Sequence, residues 1–431
     1  MSQANIALIG LGTVGTGVVS ILQRQREALA LRAGAELVLK HVVVRDVAKP
    51  RDVTLPAGTL TDDPRAAWED PEVSVVVELM GGTDTAGEIV RAALRAGKSV
   101  VTANKALLAE SSRELFELAA AHHACLAFDA AVAGGIPIVT NLCQCLAANR
   151  IDSINGILNG TCNYILSQME EEGRSYEAAL RDAQARGYAE ADPTMDVDGT
   201  DTTQKLAILA QLAMQVDVDW REIPRMGIER LELIDVQAAE ELGYAIRLVA
   251  SAARGAQPGE VSLQVDPLLI PSDHGLAGID GPDNAILVEG DAVGAMLYRG
   301  AGAGRMPTAS AVVADILDTV SGRARLTFQG LCQFEPNGKM TDDDTRAARF
   351  YLRLPGVSGS PLAGEVAQVM IEHNVPIASS LQYEGSDQEG LAPQVVIMTQ
   401  KSKPATIATV VADLQSLASV TAPVVLARVA D

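Results

Sequence analysis

The sequence predicts an α/β protein in three parts: a doubly wound parallel sheet at 1–135, an α+β domain at 136–304, and a smaller α+β module at 350–431. Three observations lead to this prediction. Strand-like and helix-like patterns alternate in the first part, the alternation loosens in the second, and the order βαββαβ appears in the third. The length of 431 residues also suits about three domains.

In the first part, apolar runs predict five strands, and helical periodicity follows most of them. The strands are expected at 6–9, 36–44, 73–78, 99–101 and 125–128. The helices are expected from the glycine motif at 10–15 to about 31, at 85–96 and at 112–122. This alternation indicates a parallel sheet with right-handed crossovers. An apolar helix at 308–320, within the segment 305–325, is expected to return to this domain.

The other two parts have patterns of their own. The second part has a predicted strand, three predicted helices and an acidic loop, at 151–158, 161–171, 176–186, 202–214 and 190–201. A polar stretch with Pro and Gly, 330–349, is predicted to be a linker. The third part then shows strands and helices at 350–354, 361–373, 377–383, 394–399, 406–417 and 423–429. Their βαββαβ order is typical of a ferredoxin-like module.

A glycine motif, GLGTVG at 10–15, follows the first strand and opens the first helix. In that setting GxGxxG indicates a Rossmann-type dinucleotide-binding turn, with a purely structural turn as the alternative. Gly10 would allow the tight turn, Gly12 the close approach of the pyrophosphate, and Gly15 the packing of helix on strand. Thr13 and Val14 complete the predicted cofactor contacts at the helix N-terminus.

The second strand ends in Arg45 and Asp46, which bears on the choice between NADP and NAD. An acidic residue at this position binds the ribose hydroxyl of NAD, whereas an arginine accommodates the 2′-phosphate of NADP. Lys49 and Arg51 follow closely and add positive charge. The sequence therefore favours NADP, with use of both cofactors or a surface charge cluster as alternatives.

The densest candidate site is the acidic segment 187–205, which ends in Lys205. Its acids are Glu190, Asp192, Asp196, Asp198 and Asp201. Asp201 and Lys205 are four residues apart at a helix start, so they share one face. Lys105 comes just after the end of a predicted strand, so it lies either near the nicotinamide or on the surface as a solvated lysine. For the acids, the alternatives are a helix cap with a surface ion pair, and a calcium loop, which the missing EF-hand glycine and glutamate disfavour.

Composition limits the partners. The net charge of −21 and the aromatic content of 3% argue against nucleic acid and against anionic membranes. The start MSQANIALIG has no basic signal-peptide region, and no run of 18 uncharged apolar residues occurs, so a cytoplasmic protein is expected. The five cysteines form no CxxC and suit free thiols, and we expect no zinc site.

Taken together, these motifs resemble homoserine dehydrogenase, in the bacterial form with a C-terminal ACT domain, over nearly the whole chain. The motifs that carry the resemblance are GLGTVG, ELMGGT (78–83), VTANKALLA (101–109), FDAAVAGGIPI (128–138), GILNGTCNYIL (156–166), GYAEADPTMDVDGTDTTQKLAIL (187–209) and GAGAGRMPTASAVVADI (300–316). The resemblance implies NAD(P)-dependent interconversion of L-aspartate 4-semialdehyde and L-homoserine, in threonine, methionine and isoleucine biosynthesis. It also implies a domain for substrate binding and dimerisation, and a homodimer or homotetramer.

By position, the resemblance also implies residue roles. Lys205 resembles the catalytic lysine, and Lys105 a second lysine near cofactor and substrate. The implied substrate contacts are Glu190, Asp201, Asp196, Thr161 and Tyr188. The further cofactor contacts are Gly81, Gly187, Gly302 and Gly304, together with Lys105 and Arg45. A monovalent cation, Na⁺ or K⁺, is implied at Asp129 and the carbonyls of Val132, Gly134 and Ile136, with Asp129 standing where Glu is expected, so that a water could bridge.

The predicted C-terminal module carries none of these residues, so it should be dispensable for chemistry. The resemblance implies threonine as an effector there, but the turn at 357–363 has Ser358 for the usual acid and Leu362 for the usual glycine. A role in assembly alone is the alternative. Two alternatives to the function as a whole are another amino-acid dehydrogenase and a non-catalytic NAD(P)-sensing regulator.

Overall fold

Six parallel strands form the N-terminal sheet of the computed structural model, which describes residues 2–331, 338–341, 347–357, 360–385 and 392–430. The strands are β1 Ser2–Ile9, β2 Ala35–Val43, β3 Leu60–Thr61, β4 Val73–Glu78, β5 Ser99–Thr102 and β6 Leu126–Ala127. Their order is β3-β2-β1-β4-β5-β6. The chain therefore winds in opposite directions from β1 and β4, and the ligand-binding crevice of such sheets lies at the carboxyl ends of these two strands.

Five helices connect these strands, and their number and bounds differ from the predicted pattern. They are α1 Thr13–Arg24, α2 Arg26–Ala33, α3 Ala66–Glu69, α4 Asp84–Arg95 and α5 Lys105–Ala121. The single helix expected up to about 31 is broken at Gln25, which caps α1. The helix expected at 112–122 begins two turns earlier, because the Asn104 side chain caps its N-terminus.

The middle of the chain forms an antiparallel sheet covered by helices. Its strands are β7 Ile151–Ile157, β8 Tyr244–Arg254, β9 Glu260–Pro271, β10 Asp283–Gly290 and β11 Gly294–Ala301, in the order β11-β10-β7-β8-β9. The helices are α6 Ile138–Thr140, α7 Gly160–Glu172, α8 Tyr176–Ala185, α9 Thr194–Val197, α10 Thr200–Met214 and α11 Leu233–Glu241. The predicted acidic loop thus contains the short helix α9.

Two further helices, α12 Arg305–Ser321 and α13 Ala324–Leu331, follow the middle sheet. The apolar face of α12 packs into the N-terminal core with Ile6 and Leu8 of β1, through Val312 and Ile316. A Cβ at Gly17 of α1 would lie 2.7 Å from the backbone of α12, so the two helices are in close contact. The glycine-rich run before α12 is thereby held beside the crevice.

The C-terminal part has the element order βαββαβ. Its elements are β13 Arg349–Pro355, α14 Leu362–Glu372, β14 Ile377–Tyr383, β15 Gln394–Thr399, α15 Pro404–Gln415 and β16 Val425–Val429. The strands are antiparallel in the order β16-β13-β15-β14. This sheet is continuous with the middle sheet, because Arg428 and Val429 of β16 pair with Leu268 and Leu269 of β9.

The predicted linker is not uniformly irregular. Within 330–349, β12 Lys339–Met340 pairs in parallel with β9. Residues 332–337 and 342–346 of this segment lie outside the described residues, as do Ser358 and Gly359 of the predicted effector turn. Across the described ranges, no helix combines the length and apolarity that a bilayer span requires.

Candidate active site

A tight glycine turn joins β1 to α1 at the carboxyl end of the parallel sheet. Gly10 has a φ of +95°, and a Cβ there would lie 2.8 Å from a backbone oxygen. A Cβ at Gly15 would lie 2.2 Å from the Gly10 carbonyl oxygen, so the helix packs directly on the turn. Gly12 faces open space at the N-cap of α1. The first amides of the helix, at Thr13 and Val14, therefore border a space that suits a phosphate group.

A buried carboxylate fixes the ends of β4 and β5 beside this turn. Glu78 is fully buried and accepts hydrogen bonds from the Gly81 amide at 3.0 Å and the Thr102 hydroxyl at 2.7 Å. Thr102 also accepts the Asn104 backbone amide at 3.0 Å. Because Lys105 is the next residue and begins α5, this network sets its position.

Asp201, in the first turn of α10, lies between the two lysines singled out from the sequence. Its Oδ2 is 2.7 Å from Lys205 Nζ, and its Oδ1 is 3.1 Å from Lys105 Nζ. Lys205 Nζ also donates to the Leu158 carbonyl oxygen at 2.6 Å. One helical turn separates Asp201 from Lys205, whereas packing of α5 on α10 brings in Lys105.

Charge controls the titration of this cluster. Burial raises the pKa of Asp201, but the Lys205 and Lys105 ammonium groups outweigh it and hold that pKa well below its usual range. The Asp201 charge in turn raises the pKa of Lys105 against the opposing effect of burial, with smaller contributions from Asp196 and Glu190. Near neutral pH the cluster therefore contains an ionised Asp201 and a charged Lys105.

A side-chain amide, that of Asn159, joins two of the acids. Its Nδ2 donates to Asp201 Oδ2 at 2.9 Å and to Asp196 Oδ1 at 2.8 Å. Its Oδ1 accepts the Cys162 backbone amide at 2.8 Å and caps α7. Burial raises the pKa of Asp196, and the Asn159 hydrogen bond opposes that change. Asn159 was not predicted as a site residue, and its one signal in the sequence is an asparagine in a helix-capping position.

The remaining polar candidates border this cluster. The Thr161 hydroxyl donates to the Tyr188 carbonyl oxygen at 2.7 Å, which ties α7 to the loop after α8. The Tyr188 side chain is 43% exposed and packs on Tyr164, with ring centroids 4.8 Å apart. Gly187, with a φ of +76°, and Glu190 are exposed as well. These groups are accessible to a ligand that reaches the buried lysine cluster.

The loop before α6 packs against the glycine-rich run before α12. A Cβ at Gly134 would lie 2.7 Å from the Gly302 carbonyl oxygen. The Gly135 amide donates to the Ala301 carbonyl oxygen at 2.9 Å. Gly304, with a φ of +122°, is the N-cap of α12. The glycines at these positions are required for the close approach of the two backbones.

The predicted cation ligand Asp129 is buried, and burial raises its pKa. Its Oδ1 accepts the Val139 backbone amide at 2.9 Å. The Ile136 carbonyl oxygen accepts the Ile138 amide at 2.7 Å. One oxygen at each of these positions is therefore already hydrogen-bonded, and the described part of the chain contains no cluster of three or more His, Cys, Asp or Glu suited to a metal ion.

At the end of β2, Arg45 is exposed, and Asp46 is turned into its own loop. Asp46 Oδ1 accepts a hydrogen bond from the Ala48 amide at 2.8 Å, and the Asp46 carbonyl oxygen accepts one from Arg51 Nη2 at 2.5 Å.

Three features of the site together define an NAD(P)-dependent oxidoreductase. They are a glycine turn that suits phosphates, a crevice at the carboxyl ends of the strands, and lysines held by a carboxylate.

Comparison with known proteins makes this class specific. The family profiles described as "Homoserine dehydrogenase" and "Homoserine dehydrogenase, NAD binding domain" match residues 137–317 and 10–129. Homoserine dehydrogenase of Pseudomonas aeruginosa is 40% identical over 436 residues, which cover 100% of this chain and 99% of that protein. The chain belongs to the homoserine dehydrogenase family.

Solved structures agree with this family. The crystal structure of a homoserine dehydrogenase from Thiobacillus denitrificans has a TM-score of 0.90 and 37% identity, covering 100% of this chain and 99% of that chain. A hyperthermophilic archaeal homoserine dehydrogenase in complex with NADPH has a TM-score of 0.61 and 27% identity, covering 74% of this chain and 97% of that one. The family, the homoserine dehydrogenase function and the nicotinamide cofactor class predicted from the sequence are thus confirmed.

Proposed function

We propose that this chain interconverts L-aspartate 4-semialdehyde and L-homoserine, within threonine, methionine and isoleucine biosynthesis. The observation that carries the proposal is the contact of one carboxylate, Asp201, with both Lys205 and Lys105. Reduction of an aldehyde needs a hydride at carbon and a proton at oxygen. A lysine ammonium can stabilise the developing alkoxide and supply that proton.

The residues of the glycine turn fit a dinucleotide, because Gly12 leaves open space at the N-terminus of α1. When bound, the reduced nicotinamide supplies the hydride. The exposed Arg45 supports NADP as the preferred form, since its guanidinium can pair with a 2′-phosphate. The other proposed cofactor contacts are Gly10, Thr13, Val14, Gly15, Gly81, Lys105, Gly187, Gly302 and Gly304.

Lys205 is the proposed proton donor. Its ammonium has three N–H groups, of which one donates to Leu158 and one to Asp201, at 2.6 and 2.7 Å. The third can donate to the substrate carbonyl oxygen. Asp201 Oδ2, 2.7 Å from Nζ, holds the ammonium in place. After transfer, the neutral amine regains a proton from solvent.

The charges around the lysines suit a substrate that carries an ammonium and a carboxylate. Asp196 and Glu190 can accept hydrogen bonds from the α-ammonium. Lys105, whose side chain is 37% exposed, offers a positive charge to the carboxylate. Thr161 and Tyr188 complete the proposed substrate contacts at the edge of the cluster.

The direct test is oxidation of NADPH on addition of L-aspartate 4-semialdehyde, for the parent chain and for Lys205→Ala. We expect the substitution to lower kcat by about 10²-fold or more and to change cofactor affinity by less than about two-fold. Lys403→Ala, at an exposed position in the C-terminal part, is the matched control. Near-normal turnover of Lys205→Ala would remove Lys205 from the mechanism and favour Lys105 as the donor.

Further parts of the proposal rest on the family resemblance. A monovalent cation would use the carbonyls of Val132, Gly134 and Ile136, with a water between it and Asp129, because Asp129 already binds the Val139 amide. The C-terminal βαββαβ part is proposed to be an ACT-like regulatory domain with threonine as a candidate effector. A cytoplasmic homodimer or homotetramer is proposed as the working form.

A further inference from the structure

A second donor shares the carbonyl oxygen that binds Lys205. Asn284, near the start of β10, donates from Nδ2 to the Leu158 oxygen at 3.0 Å. Lys205 Nζ donates to the same oxygen at 2.6 Å. A carbonyl oxygen has two lone pairs, so these two donors complete it. Asn284 and the Lys205 ammonium therefore contact the same backbone atom.

The Asn284 amide is also packed against the glycine-rich run before α12. A Cβ added at Gly302 would lie 2.2–2.3 Å from the amide Cγ, Oδ1 and Nδ2 of Asn284. Any side chain at position 302 must therefore displace the amide. Gly302 is one of the proposed cofactor contacts, so Asn284 lies between the cofactor side of the site and the lysine.

The Asn284 side chain is deeply buried, and its amide is only partly hydrogen-bonded. Asn284 is 1% exposed, and its Oδ1 has no hydrogen-bond partner among the described residues. A buried amide with an unpaired oxygen costs stability relative to an apolar side chain of similar shape. The feature that distinguishes Asn284 is the contact of its Nδ2 with the carbonyl oxygen that also binds Lys205.

From this arrangement we infer that Asn284 is a positioning residue for the Lys205 ammonium, acting through the Leu158 carbonyl. The inference rests on the proposed role of Lys205 as proton donor. It predicts that loss of the Asn284 donor affects proton transfer more than it affects cofactor binding.

Asn163 provides a matched control within the same region. It is also 1% exposed with an unpaired Oδ1, and its Nδ2 donates to the carbonyl oxygens of Ile279 and Gly281, both at 2.9 Å. Its Nδ2 also lies 3.3 Å from the carbonyl oxygen of Asp283, the residue before Asn284, but within the described residues it makes no hydrogen bond to Leu158 or Lys205. Asn163→Ala should therefore cost comparable stability without moving the lysine.

The experiment compares Asn284→Ala with Asn163→Ala in kcat, KM for NADPH, the pH profile of kcat and the thermal midpoint. We expect Asn284→Ala to lower kcat by about ten-fold or more and to change its pH profile, with KM for NADPH within about two-fold. Asn163→Ala should lower the midpoint but leave kcat and its pH profile close to the parent. Equal effects of the two substitutions on kcat, or an unchanged pH profile in Asn284→Ala, would overturn the inference.

Asn284→Asp tests the inference if Asn284→Ala does not fold, because aspartate preserves the shape of the asparagine side chain. When protonated, the new carboxyl can donate to Leu158, and when ionised it cannot. Its kcat relative to the parent should therefore rise as the pH is lowered, and a ratio independent of pH would overturn the inference. Turnover retained in Lys205→Ala would instead refute the proposed donor, so the two failures are distinguishable.

Discussion

Replacing Asp201 with asparagine removes a charge that both site lysines contact, while nearly preserving the shape of the side chain. The Asp201 carboxylate is 10% exposed and its partner Lys205 12%, so this pair is largely shielded from water. Lys105 is 37% exposed, so water screens its pair with Asp201 more than it screens the Lys205 pair. The substitution therefore leaves the buried Lys205 ammonium without its counter-ion, whereas the more exposed Lys105 ammonium remains solvated by water.

The magnitude follows from these exposures. Removal of one member of a buried ion pair costs about 3–5 kcal/mol. The exposed pair adds at most about 1 kcal/mol. We therefore expect Asp201→Asn to lower the free energy of unfolding by about 3–5 kcal/mol at neutral pH. The kcat–pH profile should change as well, because the Asp201 carboxylate contacts the ammonium of the proposed proton donor, Lys205.

The pH dependence of stability gives an independent check. The pKa of Asp201 is held below that of the unfolded chain, so its contribution is complete above about pH 5 and is lost as the pH falls toward the folded pKa. The difference in unfolding free energy between parent and Asp201→Asn should therefore shrink as the pH is lowered from about 5. Urea unfolding at several pH values and kcat–pH profiles measure both effects.

Asp198→Asn is the matched control for Asp201→Asn. Asp198 lies in the same segment; its Oδ1 accepts the Thr200 amide at 2.8 Å and its Oδ2 the Thr200 hydroxyl at 2.9 Å. An asparagine can accept from the amide and donate to the hydroxyl oxygen. We expect its cost to stay below about 1 kcal/mol. The reasoning about the buried pair is refuted if Asp201→Asn costs no more than Asp198→Asn and leaves the kcat–pH profile unchanged.

Three further predictions follow from the cofactor edge and the C-terminal part. Arg45→Ala should raise KM for NADPH more than KM for NADH, with about 1–3 kcal/mol of lost discrimination, and equal effects would show that Arg45 does not bind the phosphate. Truncation after residue 337 should lower the thermal midpoint but preserve most of kcat. The reason is that 74% of this chain covers 97% of the archaeal homoserine dehydrogenase with NADPH, so that relative is shorter than this chain. A large loss of kcat in the folded fragment would contradict this prediction. Threonine titration should inhibit the full chain and not the truncated one if the C-terminal part binds it, and equal inhibition of both would place the effect at the active site.

The local parts of the fold and site are those that sequence could predict. The turn at Gly10 and the spacing of Asp201 and Lys205 depend on neighbouring residues, so their geometry follows from pattern alone. The contact of Lys105 with Asp201 joins two distant segments, and no local signal specifies such a contact. Asn159 and Asn284 were missed for the same reason, because each acts through a hydrogen bond to a segment remote in sequence.

The C-terminal part illustrates the same limit at the level of domains. Its element order was readable from local patterns, but its attachment depends on contacts across the fold. Arg353 and Tyr351 of β13 both bind Asp235 Oδ1 of α11, at 2.7 and 2.8 Å, and Asp235 is fully buried. Burial raises the pKa of Asp235, and the Arg353 charge opposes that effect. Removal of the C-terminal part would therefore expose the Asp235 carboxyl to water and remove its counter-ion, Arg353.

The strand that pairs with the C-terminal sheet, β9, also connects through hydrogen bonds to the start of α10. In β9, the Val265 carbonyl oxygen accepts the Met226 amide at 2.8 Å. Two residues further, the Ile228 amide donates to the Val197 carbonyl oxygen at 2.9 Å, beside the start of α10. A Cβ at Gly227 would lie 2.0 Å from that same oxygen, so only glycine fits at this contact. Backbone contacts therefore join the strand that pairs with the C-terminal sheet to the start of α10, which carries Asp201, and no local pattern in the sequence specifies them.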